Sequence, residues 1–204
     1  MNKQPWSVLR FKGTGSWDGI TLSAAAAVDG WLGTGKKKVK LTCAGNHNLT
    51  AGSAITIKGT DNYDGTWETL SGTATTLLYI PARYVAETTA TADTCKFTLA
   101  PGHAFEFGGF RLTLGAQADQ AESMTITMDA GAGSNYDCLL FSYSTNGMRQ
   151  MIWQPPMLLI NGAAIANYTG GFQPMQFDKD DELDFAWANA GTETYGLECF
   201  WRRI

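Results

Sequence analysis

Apolar and polar residues alternate with a period of two in several separate stretches of the sequence. The clearest runs are residues 38–43, 54–58, 110–114 and 124–128. Because successive side chains of a β-strand point to opposite faces, this alternation predicts strands that each have one buried face. Threonine, isoleucine and aromatic residues in the runs favour extended structure. This feature constrains the fold more than any other and predicts an all-β chain.

Turn-forming residues separate these runs at short intervals. The clearest pairs are Asp18-Gly19, Asp64-Gly65, Asn146-Gly147 and Asn161-Gly162. Several short strands at this spacing predict a sandwich or barrel of antiparallel strands. The single helix candidate is the stretch 22–32, which contains an alanine run at 24–27. It has no apolar stripe, so we expect at most a turn or two of helix there.

Two regions of the chain differ in amino-acid composition, and this difference predicts an inserted domain. Residues 36–99 are rich in threonine and alanine and contain no methionine, whereas residues from 104 onward are rich in methionine, phenylalanine and tryptophan. We therefore expect a β-sandwich built from residues 1–35 and 100–204, with a small β-barrel domain inserted at 36–99. This arrangement requires the N-terminal strand, near residues 6–11, to pair with strands after residue 100. Cys43 and Cys95 lie near the two ends of the insert, which a compact module must bring close together.

Composition points toward contacts with other protein chains. Charged residues make up 17% of the chain, below the roughly 25% of a typical soluble domain. Such a surface is typical of one that is partly covered, so we expect a homo-oligomer. The net charge of −4 argues against nucleic acid as a partner, because phosphate binding needs a basic face. The lysines between residues 36 and 40 are expected to form a solvated loop that leads into a strand.

The sequence predicts no membrane insertion and no sorting address. No run approaches the roughly 18 consecutive apolar residues that a membrane-spanning helix requires, and residues 1–6 have no apolar signal core. We therefore expect synthesis in a cytoplasm. The four cysteines form no Cys-x-x-Cys pair, so zinc is not expected, and reduced thiols are the default in a reducing compartment.

A search for catalytic and cofactor motifs gives only incomplete matches. His47 and His103 have no second metal-type ligand nearby, and both have a loop-like sequence context. The segment 30–37 has the glycine and lysine spacing of a phosphate-binding loop, but Lys37 stands where magnesium binding requires Ser or Thr. The acidic run 178–184 has Leu183 where a calcium-binding loop needs glycine, so a charged turn before a strand is the simpler interpretation. We expect no enzyme, no cofactor and no metal.

Large aromatic side chains are the remaining signal. Trp153, Trp187 and Trp201 lie in strand-like apolar runs and are expected in the core. Trp17 and Trp31 lie in glycine-rich loops, where an indole ring is costly to expose. They either contact a partner chain or a sugar, or close the ends of the sandwich.

The segment from Leu41 to Trp67 resembles a small β-barrel module that recurs in virion proteins of tailed bacteriophages. The matching features are His47-Asn48-Leu49, Gly52, the Ile55/Ile57 strand, Gly59-Thr60 and Asn62-Tyr63-Asp64-Gly65-Thr66. Residues 104–204 resemble the jelly-roll-type sandwiches that phages use for capsid decoration, collars and tail attachments, with segments 177–186 and 194–200 carrying the likeness. The resemblance implies a virion setting and an architecture, not a catalytic site.

These observations give a leading hypothesis and two rivals. The first is a phage virion accessory protein that contacts capsid, portal or tail proteins through apolar side chains, with Met148, Met151, Met157 and Met175 as candidate contacts because methionine adapts to irregular surfaces. The second is a carbohydrate-binding adhesin that stacks Trp17, Trp31 and Tyr63 on a host glycan. The third is a hydrolase on a β scaffold, which needs an acid/base pair that the sequence does not reveal.

Overall fold

The regular structure is almost entirely extended. The computed structural model describes residues 4–17, 19–32, 36–70, 75–86, 94–164 and 172–204. In this part of the chain there is a single 3-10 turn, Ser134–Tyr136, and no α-helix. The strands are β1 (Ser7–Thr14), β2 (Ile20–Leu32), β3 (Lys36–Cys43), β4 (Ala54–Lys58), β5 (Gly65–Glu68), β6 (Leu77–Ile80), β7 (Thr94–Lys96), β8 (Thr98–Leu99), β9 (Phe105–Leu114), β10 (Ser123–Asp129), β11 (Cys138–Ser144), β12 (Gln150–Gln154), β13 (Met157–Ile160), β14 (Ala163–Ala164), β15 (Met175–Phe177), β16 (Glu182–Ala186) and β17 (Thr194–Arg203).

The strands form three antiparallel sheets. A seven-stranded sheet has the order β1-β17-β9-β12-β13-β14, with β15 also paired to β9. A four-stranded sheet has the order β11-β10-β16-β8, and a six-stranded sheet has the order β5-β4-β7-β2-β3-β6. The predicted all-β fold class is therefore confirmed. Among the described residues no sheet closes into a barrel, so the segment expected to form a small barrel contributes to an open sheet instead.

The seven-stranded and four-stranded sheets face each other as a β-sandwich. Their inner faces share one core, in which Phe11 of β1 lies 6.1 Å from Phe185 of β16 and Phe110 of β9 lies 5.2 Å from Phe141 of β11, measured between ring centroids. The alternation that predicted strands has the expected cause, because in β9 the side chains of Leu112 and Leu114 are buried while those of the intervening residues are exposed.

The six-stranded sheet has a second core, formed by Leu22, Leu41, Ile57, Tyr63 and Ile80 among others. It includes β2, so this sheet begins ahead of residue 36. The helix considered for residues 22–32 is not formed. The alanine run lies in β2, where Ala25 pairs with Leu41 of β3. Long antiparallel pairing with β3 outweighs the intrinsic helix preference of alanine, which is worth well under about 1 kcal/mol per residue.

The N-terminal strand pairs with a strand after residue 100, as the sequence predicted, and that partner is β17, the last strand of the chain. Eight consecutive residue pairs join β1 to β17, from Ser7 opposite Trp201 to Thr14 opposite Thr194. This places β1 in the sandwich, although β2, which follows it, belongs to the other sheet. Independent folding of an inserted domain stays a prediction.

Several polar contacts join the sandwich to the six-stranded sheet. Thr14 of β1 donates its main-chain N–H to the Asn48 carbonyl at 2.9 Å. The Thr56 hydroxyl of β4 donates to the Thr98 carbonyl of β8 at 2.7 Å, and Lys58 forms an ion pair with Glu182. These contacts hold β4 and β5 beside the edge strand β1.

Candidate functional site

Four of the predicted partner contacts lie inside the protein. Trp17, Tyr63, Met148 and Met151 are all 2% exposed or less. The Trp17 ring lies 5.4 Å from that of Trp187 in an edge-on arrangement. Core packing therefore accounts for these four side chains, and none of them reaches a partner or a sugar without opening the core.

Tyr63 is fixed by specific hydrogen bonds as well as by burial. Its hydroxyl accepts from the Val85 N–H at 2.8 Å and donates to the Val85 carbonyl at 2.7 Å. Its own carbonyl accepts a hydrogen bond from the Trp67 indole at 2.8 Å. Tyr63 thus ties the turn before β5 to the segment after β6.

The other predicted contacts have different surroundings. Met157 is 36% exposed at the start of β13, and Met175 is half-buried against the sandwich core. The side chain of Trp31 falls outside the described residues. Trp187 is buried as predicted, whereas Trp153 and Trp201 lie at the margin of the core.

His47 and the acidic run 178–184, which the sequence offered as candidate sites, both make hydrogen bonds that stabilise local structure. His47 accepts the Leu49 N–H at Nδ1, 3.0 Å away, which leaves its Nε2 to donate to the Leu77 carbonyl at 3.2 Å. The acidic run forms a turn in which Asp181 accepts the main-chain N–H of Asp178 at 2.9 Å. The strand β16 follows directly, as the simpler interpretation predicted.

The surface with the most organised chemistry is the outer face, defined as the solvent side of β1, β17 and β9. Arg10, Glu198 and Arg111 lie directly opposite one another on these three strands. Glu198 accepts from Arg10 Nε at 3.0 Å through one oxygen and from Arg111 Nη2 through the other. The row leaves two guanidinium groups held in place around one carboxylate.

The electrostatics of this row follow from its geometry. Partial burial by itself raises the pKa of Glu198, but the hydrogen bonds and charges of Arg10 and Arg111 outweigh this and hold that pKa below its usual value. The carboxylate therefore stays ionised to a lower pH than an ordinary glutamate does. The two ion pairs hold these charges at fixed positions on the surface. Ion pairs at a surface add little to the stability of the fold, but fixed charges can contribute to the specificity of binding.

An aromatic patch lies at one end of the outer face and is defined by Trp6, Phe172 and Arg202. Trp6 is 37% exposed and Phe172 is 52% exposed, and their rings lie 5.9 Å apart. The Arg202 guanidinium lies 4.5 Å from the Trp6 ring, a cation–π contact. A Cβ at Gly108 would lie 2.7 Å from the Trp6 ring, so glycine at this position allows the indole to rest directly on β9.

A buried carboxylate fixes the patch from below. Glu106 of β9 is 1% exposed and accepts from Arg202 Nε at 2.6 Å through one oxygen. Its second oxygen accepts from the Gln176 side chain of β15 at 3.1 Å. A buried charge that is fully paired in this way is held in one arrangement. Arg202, and Trp6 above it, are therefore pre-positioned.

A groove runs beside the outer face, and we call it the edge groove. It has a volume of about 300 Å³ and is lined on one side by four residues of β1 and on the other by residues of β5 and of the segment before and at the start of β4. These are Val8, Leu9, Arg10 and Lys12 on the first side and Gly52, Ala54, Thr66, Trp67 and Glu68 on the second. A smaller cavity of about 190 Å³ shares Arg10 and Lys12 with it and continues over the charged row. The groove lies along β1, and Trp6 of the aromatic patch directly precedes the same strand.

The alternation in β1 contains a signal for this face that was not used to predict it. In β1 the buried residue Phe11 fixes which alternate positions face the core. The even-numbered positions must then face outward, and they include Trp6 just before the strand. The sequence could not have shown that Phe172, more than 160 residues away, would lie beside it.

The fold and this face define an all-β protein with a partly aromatic outer face, on which Arg202 is held by the buried Glu106. Within the described ranges, no group of three or more His, Cys, Asp or Glu side chains is placed to hold a metal ion. In the same part of the chain, no helix has the length and apolar character that a membrane span requires. Comparisons with protein-family models, with curated proteins and with solved structures found no match to this chain.

Proposed function

We propose that this chain is an accessory structural protein of a tailed-bacteriophage virion, a capsid decoration, collar or tail-attached subunit that acts through protein–protein contacts. The observation that carries the proposal is the aromatic patch. An exposed tryptophan and an exposed phenylalanine, fixed beside an arginine, have the composition of the few residues that dominate protein interfaces. The virion setting rests on the resemblance of residues 41–67 and 104–204 to phage modules.

Pre-organisation supports contact with a protein surface. Binding is weakened when side chains must be immobilised, at a cost of about 0.5–1.5 kcal/mol for each flexible one. Here the Glu106 carboxylate holds Arg202, and Arg202 holds one face of Trp6. Much of that cost is therefore already met in the free protein. The few charges elsewhere in the chain fit a surface that is covered in the particle.

The test is association with particles and with itself. Purified capsids and tails are mixed with the protein, and co-sedimentation and mass photometry report binding and oligomeric state. We expect Phe172→Ser to weaken the association about tenfold or more. The matched control is Tyr136→Ser, which removes an aromatic ring that is 65% exposed but lies away from the outer face.

Two results would overturn the proposal. A strict monomer that associates with neither capsids nor tails would exclude a structural role in the virion. Equal loss in the Phe172→Ser and Tyr136→Ser variants would show that the patch is not the contact. Binding of the parent protein, but not of the Phe172→Ser variant, to a glycan array would instead support the carbohydrate-binding alternative, with the aromatic patch as the sugar site.

A further inference from the structure

Among the residues that the structure describes, none pairs with the outer edge of β1 along the first half of the strand. On one side it pairs with β17, and on the other the segment 48–53 covers only its second half. There Lys12 donates its main-chain N–H to the Ser53 hydroxyl at 2.9 Å, and its carbonyl accepts the Thr50 N–H at 2.9 Å. Because main-chain groups alternate sides with a period of two, Val8 and Arg10 point their N–H and C=O groups the same way, into the edge groove.

The opposite wall of the edge groove is also a strand edge. In the described part of the chain the strand β5 pairs only with β4, and it is the last strand of the six-stranded sheet. Thr69, just after β5, donates its N–H to the Ser53 carbonyl at 2.8 Å on the β4 side. By the same alternation, Thr66 and Glu68 point their main-chain groups away from β4 and toward the groove.

Two unpaired strand edges therefore face each other across about 300 Å³ of open space. We propose that the edge groove receives an extended peptide segment of a partner protein, which adds as a β-strand between β1 and β5. Strand addition of this kind draws its affinity from main-chain hydrogen bonds, and open edges are the usual template for it. This inference deepens the proposed function, on which it rests, by specifying the form of the partner.

The charges around the groove select the chemistry of the segment. The groove and the cavity that adjoins it are lined by three cationic side chains and two carboxylates. The cations are Arg10, Lys12 and Arg111, and the carboxylates are Glu68 and Glu198. Lys12 lines both the groove and the adjoining cavity. Its Nζ lies 3.3 Å from the position that a Cβ at Gly52 would occupy, and Glu68 Oε1 lies 3.5 Å from the same position, so glycine at residue 52, with a φ of +77°, leaves the space beside these two groups open. The segment is therefore one that carries a carboxylate side chain between its apolar residues.

The probe is a short fluorescent peptide of alternating valine and glutamate, followed by fluorescence anisotropy against the full-length protein. The comparison peptide alternates valine and lysine, and a third version has a central proline. We expect saturable binding of the glutamate peptide and much weaker binding of the other two. Equal binding of all three peptides, or no binding of the glutamate peptide at millimolar concentration, would overturn the inference.

Two variants locate the site. Val8→Pro removes one N–H that points into the groove, whereas Val8→Ala shortens the same side chain and keeps that N–H; proline is tolerated where an edge N–H faces solvent. We expect Val8→Pro to weaken binding of the glutamate peptide about fivefold or more. Val8→Ala should not weaken that binding to this extent. Lys12→Glu should reverse the preference between the glutamate and lysine peptides without any change in main-chain groups. Unchanged binding in both Val8→Pro and Lys12→Glu would place the peptide elsewhere and refute the inference.

The outcomes separate this inference from the proposed function. Particles that bind through Phe172 while the glutamate peptide fails to bind would leave the virion role standing and remove strand addition. Peptide binding that depends on Val8 and Lys12, without any association with capsids or tails, would leave strand addition standing and remove the virion role.

Discussion

Replacement of Gly109 by alanine is a severe test of the sheet geometry described above. Gly109 lies in β9, opposite Phe200 of β17 and beside β12, with a φ of +110°. An added Cβ would overlap the carbonyl oxygen of Trp153 and lie 3.0 Å from the Cα of Gln154. These are main-chain atoms of a paired strand, so no side-chain rotation relieves the overlap.

The magnitude follows from two contributions. A non-glycine residue held at such a φ stores about 1–3 kcal/mol of backbone strain. Relief of the overlap by a shift of β12 adds about 1–3 kcal/mol, as overpacking of a core does. We therefore expect Gly109→Ala to lower the free energy of unfolding by about 2–6 kcal/mol. For a chain of this size, even the lower limit corresponds to a fall in Tm of about 4–8 °C.

The assay is urea unfolding followed by tryptophan fluorescence, together with a thermal melt. Gly196→Ala is the matched control, because Gly196 lies in β17 on the outer face and an added Cβ meets nothing within 4 Å. We expect that control to change the stability by less than about 0.5 kcal/mol. Similar stabilities for Gly109→Ala and Gly196→Ala would refute the close approach of β9 to β12.

Three further outcomes follow from charges and thiols. Glu106→Ala should lower the free energy of unfolding by about 3–5 kcal/mol in urea titrations, because it leaves the Arg202 guanidinium without its buried partner; an unchanged midpoint would contradict the pairing. The pKa of Glu198 is lower in the folded than in the unfolded protein, so its stabilisation is fully present above the unfolded pKa of about 4.3 and is lost as the pH falls through the folded pKa. Urea midpoints measured across this acid range should fall less in Glu198→Gln than in the parent protein, and parallel curves would exclude the linkage. Burial raises the pKa of the Cys199 thiol, whereas Cys138 is exposed, so peptide mapping after a maleimide pulse at neutral pH should find Cys138 modified first; earlier labelling of Cys199 would mean that the core is open.

Local alternation was sufficient to predict much of the fold. The run 54–58 became the strand β4 with the same bounds, and the run 38–43 lies within β3. A period of two records which residues face the core, and that information is contained in the strand itself. The pairing of the N-terminal strand with a strand after residue 100 was predicted from the difference in composition between residues 36–99 and the rest of the chain, but that composition did not indicate that the partner is β17, the last strand.

The alanine run was misread because its sequence lacks a side-chain pattern. Ala24 to Ala27 give neither an apolar stripe nor an alternation, so intrinsic preference was the only local guide. The strand forms because β3, with buried Val39 and Leu41, lies alongside it and supplies hydrogen-bond partners. Local sequence does not contain this tertiary contribution.

The candidate site was harder to predict than the fold, for a reason visible at Trp17. Its glycine-rich context left two alternatives open, a partner or sugar contact and a ring that closes the end of the sandwich, and the structure favours the second because Trp187 and Tyr195, from the far end of the chain, enclose the ring. Exposure of a loop residue depends on which distant segments reach it.

The antiparallel pairing of the first and last strands has a mechanical consequence. Ser7 and Trp201 are neighbours at one end of the β1–β17 ladder, so a pull on the two chain ends opens that ladder one hydrogen-bonded pair at a time. Peeling loads each pair in turn, whereas shearing would load all of them together, and the force needed is correspondingly small. The protein therefore resists tension poorly when the load is applied at its two chain ends.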